Sequence, residues 1–149
     1  MAMIPIPSDF SEFLRLLNEN DVKYLLIGGY AVGYHGYVRA TGDMDIWYKR
    51  DRENAGLLIK VLKKFGFDQV SMSVDMFTEP DNIVRMGVPP VRIELINTIS
   101  GVTFEECYTE RITDSLNGIP INIISLEKLK KNKKAAGRLK DLSDLEHLE

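Results

Sequence analysis

The residues with the clearest chemical potential lie between Leu25 and Trp47, in LLIGGYAVGYHGYVRATGDMDIW. Asp43 and Asp45 stand two apart in a run, Asp43 to Tyr48, whose alternation of acidic and apolar residues predicts a strand. Residues i and i+2 of a strand share a face, so both carboxylates point the same way. Adjacent carboxylates repel, and a bound divalent cation relieves the repulsion. Mg²⁺ (or Mn²⁺) suits the pair, because a hard ion is commonly held by one or two carboxylates while waters and phosphates complete its shell. A third acid, Glu94, falls in Val91 to Ile96 (VRIELI), an otherwise apolar strand where an unpaired charge is costly. That cost is explained if Glu94 faces the same metals. Asp43, Asp45 and Glu94 are therefore the candidate catalytic residues and the candidate metal ligands. Together they have the parts for in-line nucleotidyl transfer: two metals clamp the attacking and leaving oxygens, and a carboxylate accepts the proton of the incoming hydroxyl.

These acids need elements to hold them. Lys23 to Ile27 (KYLLI) reads as a buried strand that runs into Gly28-Gly29 and then a short helix over 30–36. Backbone amides free of side chains, at the start of a helix, can cradle a phosphate, which makes Gly28 and Gly29 candidate nucleotide-binding residues. Upstream, Phe10, Phe13, Leu14 and Leu17 give a helical stripe with Ser8 as its expected N-cap. Downstream, Asp51 is placed to cap a helix striped by Ala55, Leu58, Ile59 and Leu62 that stops at Phe65-Gly66. Residues 70–80 give no clear pattern. Asn82 to Gly87 and Val91 to Asn97, parted by Pro89-Pro90, predict an antiparallel pair, and Ile119 to Ile124 another strand. Ser125 opens a basic helix interrupted by Gly137, after which Leu139, Leu142, Leu145 and Leu148 predict a helical apolar edge. Strands interleaved with helices predict a mixed-sheet α+β (α/β) domain, one unit over 1–149 with its core over about 23–124 and C-terminal helices over 125–148 across one face of the sheet.

Composition narrows the setting. The chain has 149 residues, 44% hydrophobic and 28% charged, which suits one domain with its own core. Cys107 is the only cysteine, excluding an internal disulfide and any zinc site built on paired cysteines; a reducing, cytoplasmic compartment is expected. No apolar run reaches the length of a membrane span, and no membrane partner is expected. The net charge of −3 hides seven basic residues among the thirteen from Lys128 to Lys140. The acidic remainder argues against general nucleic-acid affinity, while the basic stretch suits a local anion, or an RNA or DNA strand bound with steep salt dependence.

The pattern of hydrophobic strand, Gly28-Gly29, Asp43-Met44-Asp45 and a later Glu94 resembles the signature of the DNA polymerase beta-like nucleotidyltransferase superfamily. The approach Arg39-Ala40-Thr41-Gly42-Asp43, and the run Lys133…Arg138-Leu139-Lys140-Asp141-Leu142-Ser143-Asp144, are similar to its bacterial abortive-infection, toxin-like branch. The resemblance implies a nucleotidyltransferase fold, a small mixed sheet with packed helices. It also implies transfer of a nucleoside monophosphate from an NTP to an acceptor hydroxyl, with release of pyrophosphate. Arg39, Thr41 and Lys133 would join Gly28 and Gly29 on the nucleotide. The acceptor, whether a protein, a transfer RNA or a small molecule, is left open, and an antitoxin or other cognate partner in a toxin–antitoxin or defence system is implied. Gly29 stands where many members have serine, the third acid is Glu, and the chain is short for that branch, with no separate acceptor-binding domain. A catalytically inactive nucleotide-binding or partner-neutralising module is the alternative.

Blander readings accompany several of these residues. Arg39 could be a surface ion pair with Asp43 or Asp51, which is usually worth less than about 1 kcal/mol. Lys133 and its neighbours could form a solvated helix face, and Asp141 and Asp144 could sit in a helix first turn, where negative charge is favourable. His35 and Cys107 read as packed and inert, and Trp47 and Tyr48 as core residues with base stacking as the second choice.

Overall fold

The computed structural model describes residues 7–39, 41–67, 72–87 and 91–148. Their order is α1 (Ser8–Glu19), β1 (Tyr24–Ile27), α2 (Gly28–Tyr34), β2 (Asp43–Tyr48), α3 (Arg52–Lys64), α4 (Val74–Thr78), β3 (Ile83–Met86), β4 (Arg92–Ile96), α5 (Phe104–Thr109), β5 (Ile112–Leu116), β6 (Ile119–Ile123), α6 (Leu126–Ala136) and α7 (Leu139–His147). The strands form a mixed six-stranded sheet in the order β3-β4-β2-β1-β6-β5. It is the predicted α+β architecture.

The helical stripes bury as their spacing requires. Phe10, Phe13, Leu14 and Leu17 of α1 and Ala55, Leu58 and Leu62 of α3 are fully buried, with Ile59 packed at the margin of the core. Ser8 is not the cap of α1, because Pro7 holds that position and Ser8 is already helical. Asp51 does cap α3, accepting from Asn54 N at 2.7 Å. Asn54 is itself buried and ties α3 to the sheet, accepting from Lys23 N at 2.7 Å and donating to Lys23 O and Lys49 O. The unpatterned stretch contains α4, capped by Ser73; residues 68–71 and the Pro89-Pro90 turn lie outside the described residues.

Two expectations are corrected in the C-terminal third. Ile112–Leu116, not anticipated as a strand, pairs antiparallel with β6 around Asn117-Gly118. Both turn residues have positive φ, 52° and 81°, as a tight hairpin with right-handed strands requires. The apolar edge expected for α7 is the second. Leu148, just past the helix, is buried as expected and Leu145 half-buried, but Leu139 is 87% exposed and Leu142 45%, whereas Asp141 and Asp144 are the buried residues of that helix. Leucine periodicity misassigned the buried face because charged partners, described below, wait for those two acids.

The core readings of Trp47 and Tyr48 hold: both are buried, Trp47 edge-on to Phe104 and Tyr48 edge-on to Phe77. His35 Nε2 lies 2.7 Å from Ile124 O, and burial pushes the Cys107 thiol up to about 11, leaving it unreactive.

Candidate active site

The sheet register assembles the acids. β2 lies between β1, antiparallel to it, and β4, parallel to it, with Asp43 opposite Arg92 and Asp45 opposite both Ile27 and Glu94. On the outer side of β4, Arg85 of β3 stands opposite Glu94. Directly paired residues of neighbouring strands project to the same face, so Asp43, Asp45, Glu94, Arg85 and Arg92 share one surface of the sheet. Sequence spacing predicted the acids there. The two arginines were missed, because cross-strand register is not written in any local pattern; the alternation Arg92-x-Glu94 was the available signal.

Gly28 follows directly from β1 with φ 68°, and a methyl group on it would overlap Asp45 Oδ2. Glycine is therefore required twice over, by its backbone and by the carboxylate lying against it. Gly29 is crowded in the same way by Thr41, whose hydroxyl donates to Asp43 O at 3.2 Å. The Gly-Gly pair thus lets the loop before β2 and the Asp45 side chain close onto the start of α2.

The three carboxylates have unequal partners. Arg92 grips Asp43 with both prongs, Nε to Oδ1 at 3.0 Å and Nη2 to Oδ2 at 2.9 Å. Arg85 Nε reaches Glu94 Oε1 at 2.9 Å, and Arg92 Nη2 lies 3.6 Å from the same oxygen. Among the described residues Asp45 has no cationic partner at contact distance, and its buried Oδ1 has no hydrogen-bond partner. Burial, the neighbouring Glu94 charge, a hydrogen bond with Glu94 and the nearby Asp43 push the Asp45 carboxyl up to about 7, with Lys140 pulling weakly the other way. Among the described residues no three His, Cys, Asp or Glu side chains converge as a ready metal centre. With Asp43 and Glu94 held by guanidinium groups, the acids share a face without closing on one point.

These groups line a cleft of about 580 Å³ that also takes in Gly28, Thr98, Asn132, Lys133, Arg138 and Lys140. The sheet brings Asp43, Asp45 and Glu94 with Arg85 and Arg92 to this cleft, and α6, α7 and the turn between them bring Lys133, Lys140 and Arg138. Arg39 and Thr41 are not among the lining residues. Arg39, expected on the triphosphate or on Asp43 or Asp51, instead makes a two-pronged pair with Asp144 at 2.8 and 2.9 Å. Lys133 borders the cleft, yet its ammonium is buried between Asp141 at 3.2 Å and Asp144 at 3.0 Å. Arg138 closes the group on Asp141 at 2.6 Å. Burial alone would raise Asp141 and Asp144; Arg138 and Lys133 bring the first below its ordinary range, and Arg39 and Lys133 the second. Lys140, which the sequence reading did not single out, lines the cleft, and its charge reaches Asp45. Gly137, at φ 66°, turns the chain between α6 and α7 and so presents Lys133 and Lys140 from different helices.

Comparison with known proteins places this geometry. Residues 7–149 match the model of a family described as nucleotidyl transferase of unknown function (DUF2204). Among solved structures, a Thermotoga maritima protein assigned as a nucleotidyltransferase is similar, with a TM-score of 0.62 and 15% identity over 92% of this chain and 88% of that one. The antibiotic-resistance factor ANT(2'')-Ia aligns with a TM-score of 0.57 and 13% identity, covering 93% of this chain and 80% of its own. An antigenic nucleotidyltransferase-like protein from Paracoccidioides brasiliensis gives 0.53 and 20%, over 97% and 77%. At these identities the likeness is one of fold. No curated protein matches the sequence. No helix among the described residues is long and apolar enough to cross a membrane.

Proposed function

The chain belongs to this nucleotidyl transferase family, and from that premise we propose that it moves a nucleoside monophosphate from a Mg²⁺-bound NTP to an acceptor hydroxyl in the cleft between β2, β4 and the α6–α7 turn. The observation that carries the reading is Asp45: a carboxylate with an orphaned buried oxygen, beside two other acids, in a cleft that basic residues also line. An unpaired carboxylate oxygen lying beside two other acids is open to a partner from outside the protein. The hard oxygen donors of Asp43, Asp45 and Glu94 fit Mg²⁺ or Mn²⁺, which when bound supplies charge neutralisation for the phosphates and a lowered pKa for the attacking hydroxyl.

The chain's own groups account for the rest. Lys140 brings positive charge to the cleft from α7, where a triphosphate would be held. The acceptor oxygen forms a bond to the α-phosphorus, the bond from that phosphorus to the bridging oxygen breaks, and pyrophosphate leaves. The proton of the hydroxyl passes to a carboxylate of the acidic face that lines the cleft. In this reading Lys140 takes the phosphate role first given to Lys133 and Arg39, whose charges are spent on Asp141 and Asp144. The resemblance to the abortive-infection branch rests on Arg39 and Thr41 before Asp43 and on the Lys133 to Asp144 run. Arg39, Lys133, Asp141 and Asp144 form one bonded group, which supports reading both segments as a single unit. A toxin–antitoxin or defence setting in the cytoplasm, with an antitoxin or cognate partner and a protein, transfer RNA or small-molecule acceptor, extends that likeness.

The test is incubation with each α-labelled NTP, Mg²⁺ or Mn²⁺ and a cell lysate. Wild type should transfer label, and Asp43→Asn/Asp45→Asn should lose at least about 10³-fold, the scale of losing charge stabilisation at a transferring phosphorus. Undiminished transfer by the double variant would sink the site. NTP binding with no transfer to any lysate component would favour the inactive binding module.

A further inference from the structure

Arg92 engages the same carboxylate oxygens that a metal ion on Asp43 would use. Its two prongs take both oxygens of Asp43, and its terminal nitrogen leans toward Glu94. In that geometry each carboxylate oxygen already has a charge-assisted partner. The pair is not sealed in: the Arg92 and Asp43 side chains are 30% and 26% exposed, while those of Lys133 and Asp141 are 5% and 1%. Arg92 lines the cleft and its charge faces open volume.

Resting on the metal-site reading above, we propose that Arg92 is a competing counter-cation for Asp43 and a binding residue for the polyphosphate, so that divalent metal and nucleotide bind in a coupled way. A guanidinium and a divalent cation on the same carboxylate repel each other at contact distance, so metal alone meets an Asp43 that is already paired. A polyphosphate changes the balance, because it gives Arg92 another anion with which its fork can pair. Metal binding without nucleotide is then weak, and each ligand raises the affinity of the other, as linkage demands.

The inference calls for two binding measurements on the full chain. Free Mn²⁺ is followed by electron paramagnetic resonance without nucleotide, and an NTP analogue methylene-bridged between α and β phosphates is titrated calorimetrically at saturating Mn²⁺. Arg92→Met, close in volume but uncharged, should bind Mn²⁺ alone at least about tenfold more tightly than wild type and the analogue at least about tenfold more weakly. Arg92→Lys keeps the charge without the fork and should fall between the two in both measurements. A merely structural role for Arg92 would weaken both affinities together. Equal Mn²⁺ affinity in wild type and both variants would overturn the proposal, provided Asp45→Asn still abolishes Mn²⁺ binding. If Asp45→Asn leaves Mn²⁺ binding unchanged, or no protein binds Mn²⁺ with or without analogue, the metal-site reading itself fails and the Arg92 proposal falls with it.

Discussion

Two ionic clusters border the same cleft, and their aspartates respond to burial in opposite ways. In the group joining α6, α7 and the loop before β2, two nearly inaccessible carboxylates are matched by Lys133, Arg39 and Arg138, and both have depressed pKa values. In the group on β2, β3 and β4, three carboxylates meet two arginines, and Asp45, the one left over, is raised to about 7. Burial is common to both, so it does not decide the outcome; the arithmetic of counter-charges does. A complete cluster holds helices in place, whereas an incomplete one leaves one buried carboxyl that takes up a proton more readily than its neighbours.

That contrast can be broken at each cluster. The largest stability effect is expected for Lys133→Met, which leaves Asp141 and Asp144 buried with an arginine each but without the ammonium between them. Removing one partner from a buried ion group typically costs about 3–5 kcal/mol, to be read from urea unfolding. If Lys133 also holds nucleotide, KM for the NTP will rise in the surviving native protein; on the reading favoured above it will not. Gly28→Ala comes next. Left-handed backbone at an alanine costs about 1–2 kcal/mol, and its methyl must also push Asp45 aside, so a loss of about 2–3 kcal/mol is expected along with a collapse of NMP transfer.

A pH-dependent effect sharpens the comparison most. Asp45 has a native pKa raised above its ordinary 3.8 to about 7, so the native state holds a proton that the unfolded chain has released. The associated stability is present below about 4 and is lost as pH rises through about 7. In metal-free protein, Asp45→Asn should therefore be more stable than wild type at pH 8, with an upper bound of about 4 kcal/mol set by the size of the shift, and indistinguishable at pH 4. Thermal melts across that window check it, and a variant less stable at pH 8 would show that the carboxylate is already satisfied.

How much of this could be read without coordinates depended on distance along the chain. The shared face of Asp43 and Asp45 follows from strand geometry alone, and Glu94 was exposed by the apolar residues around it. The stripes of α1 and α3 were equally plain. What escaped was pairing between elements. Arg92 and Arg85 acquire meaning only when β4 settles parallel to β2 and β3 antiparallel to β4. The buried face of α7 was misread because leucines at helical spacing look like core, while the true anchors are two aspartates whose partners lie on α6 and before β2. β5 was overlooked although Asn117-Gly118 marks its hairpin.

The sheet also imposes a timetable. β1 to β4 carry all three acids and both arginines within residues 24–96, whereas β6 must come back to β1, pairing Leu26 with Ile123, before α6 and α7 can follow. A chain made N-terminus first thus has its three carboxylates and both arginines before Lys133, Arg138 and Lys140 exist. Among the described residues, the cations in sheet register with the acids are Arg85 and Arg92. The counter-charges of the acids are therefore delivered by the same run of strands as the acids themselves, and the basic residues of α6 and α7 come to a face whose ion pairs need nothing from them.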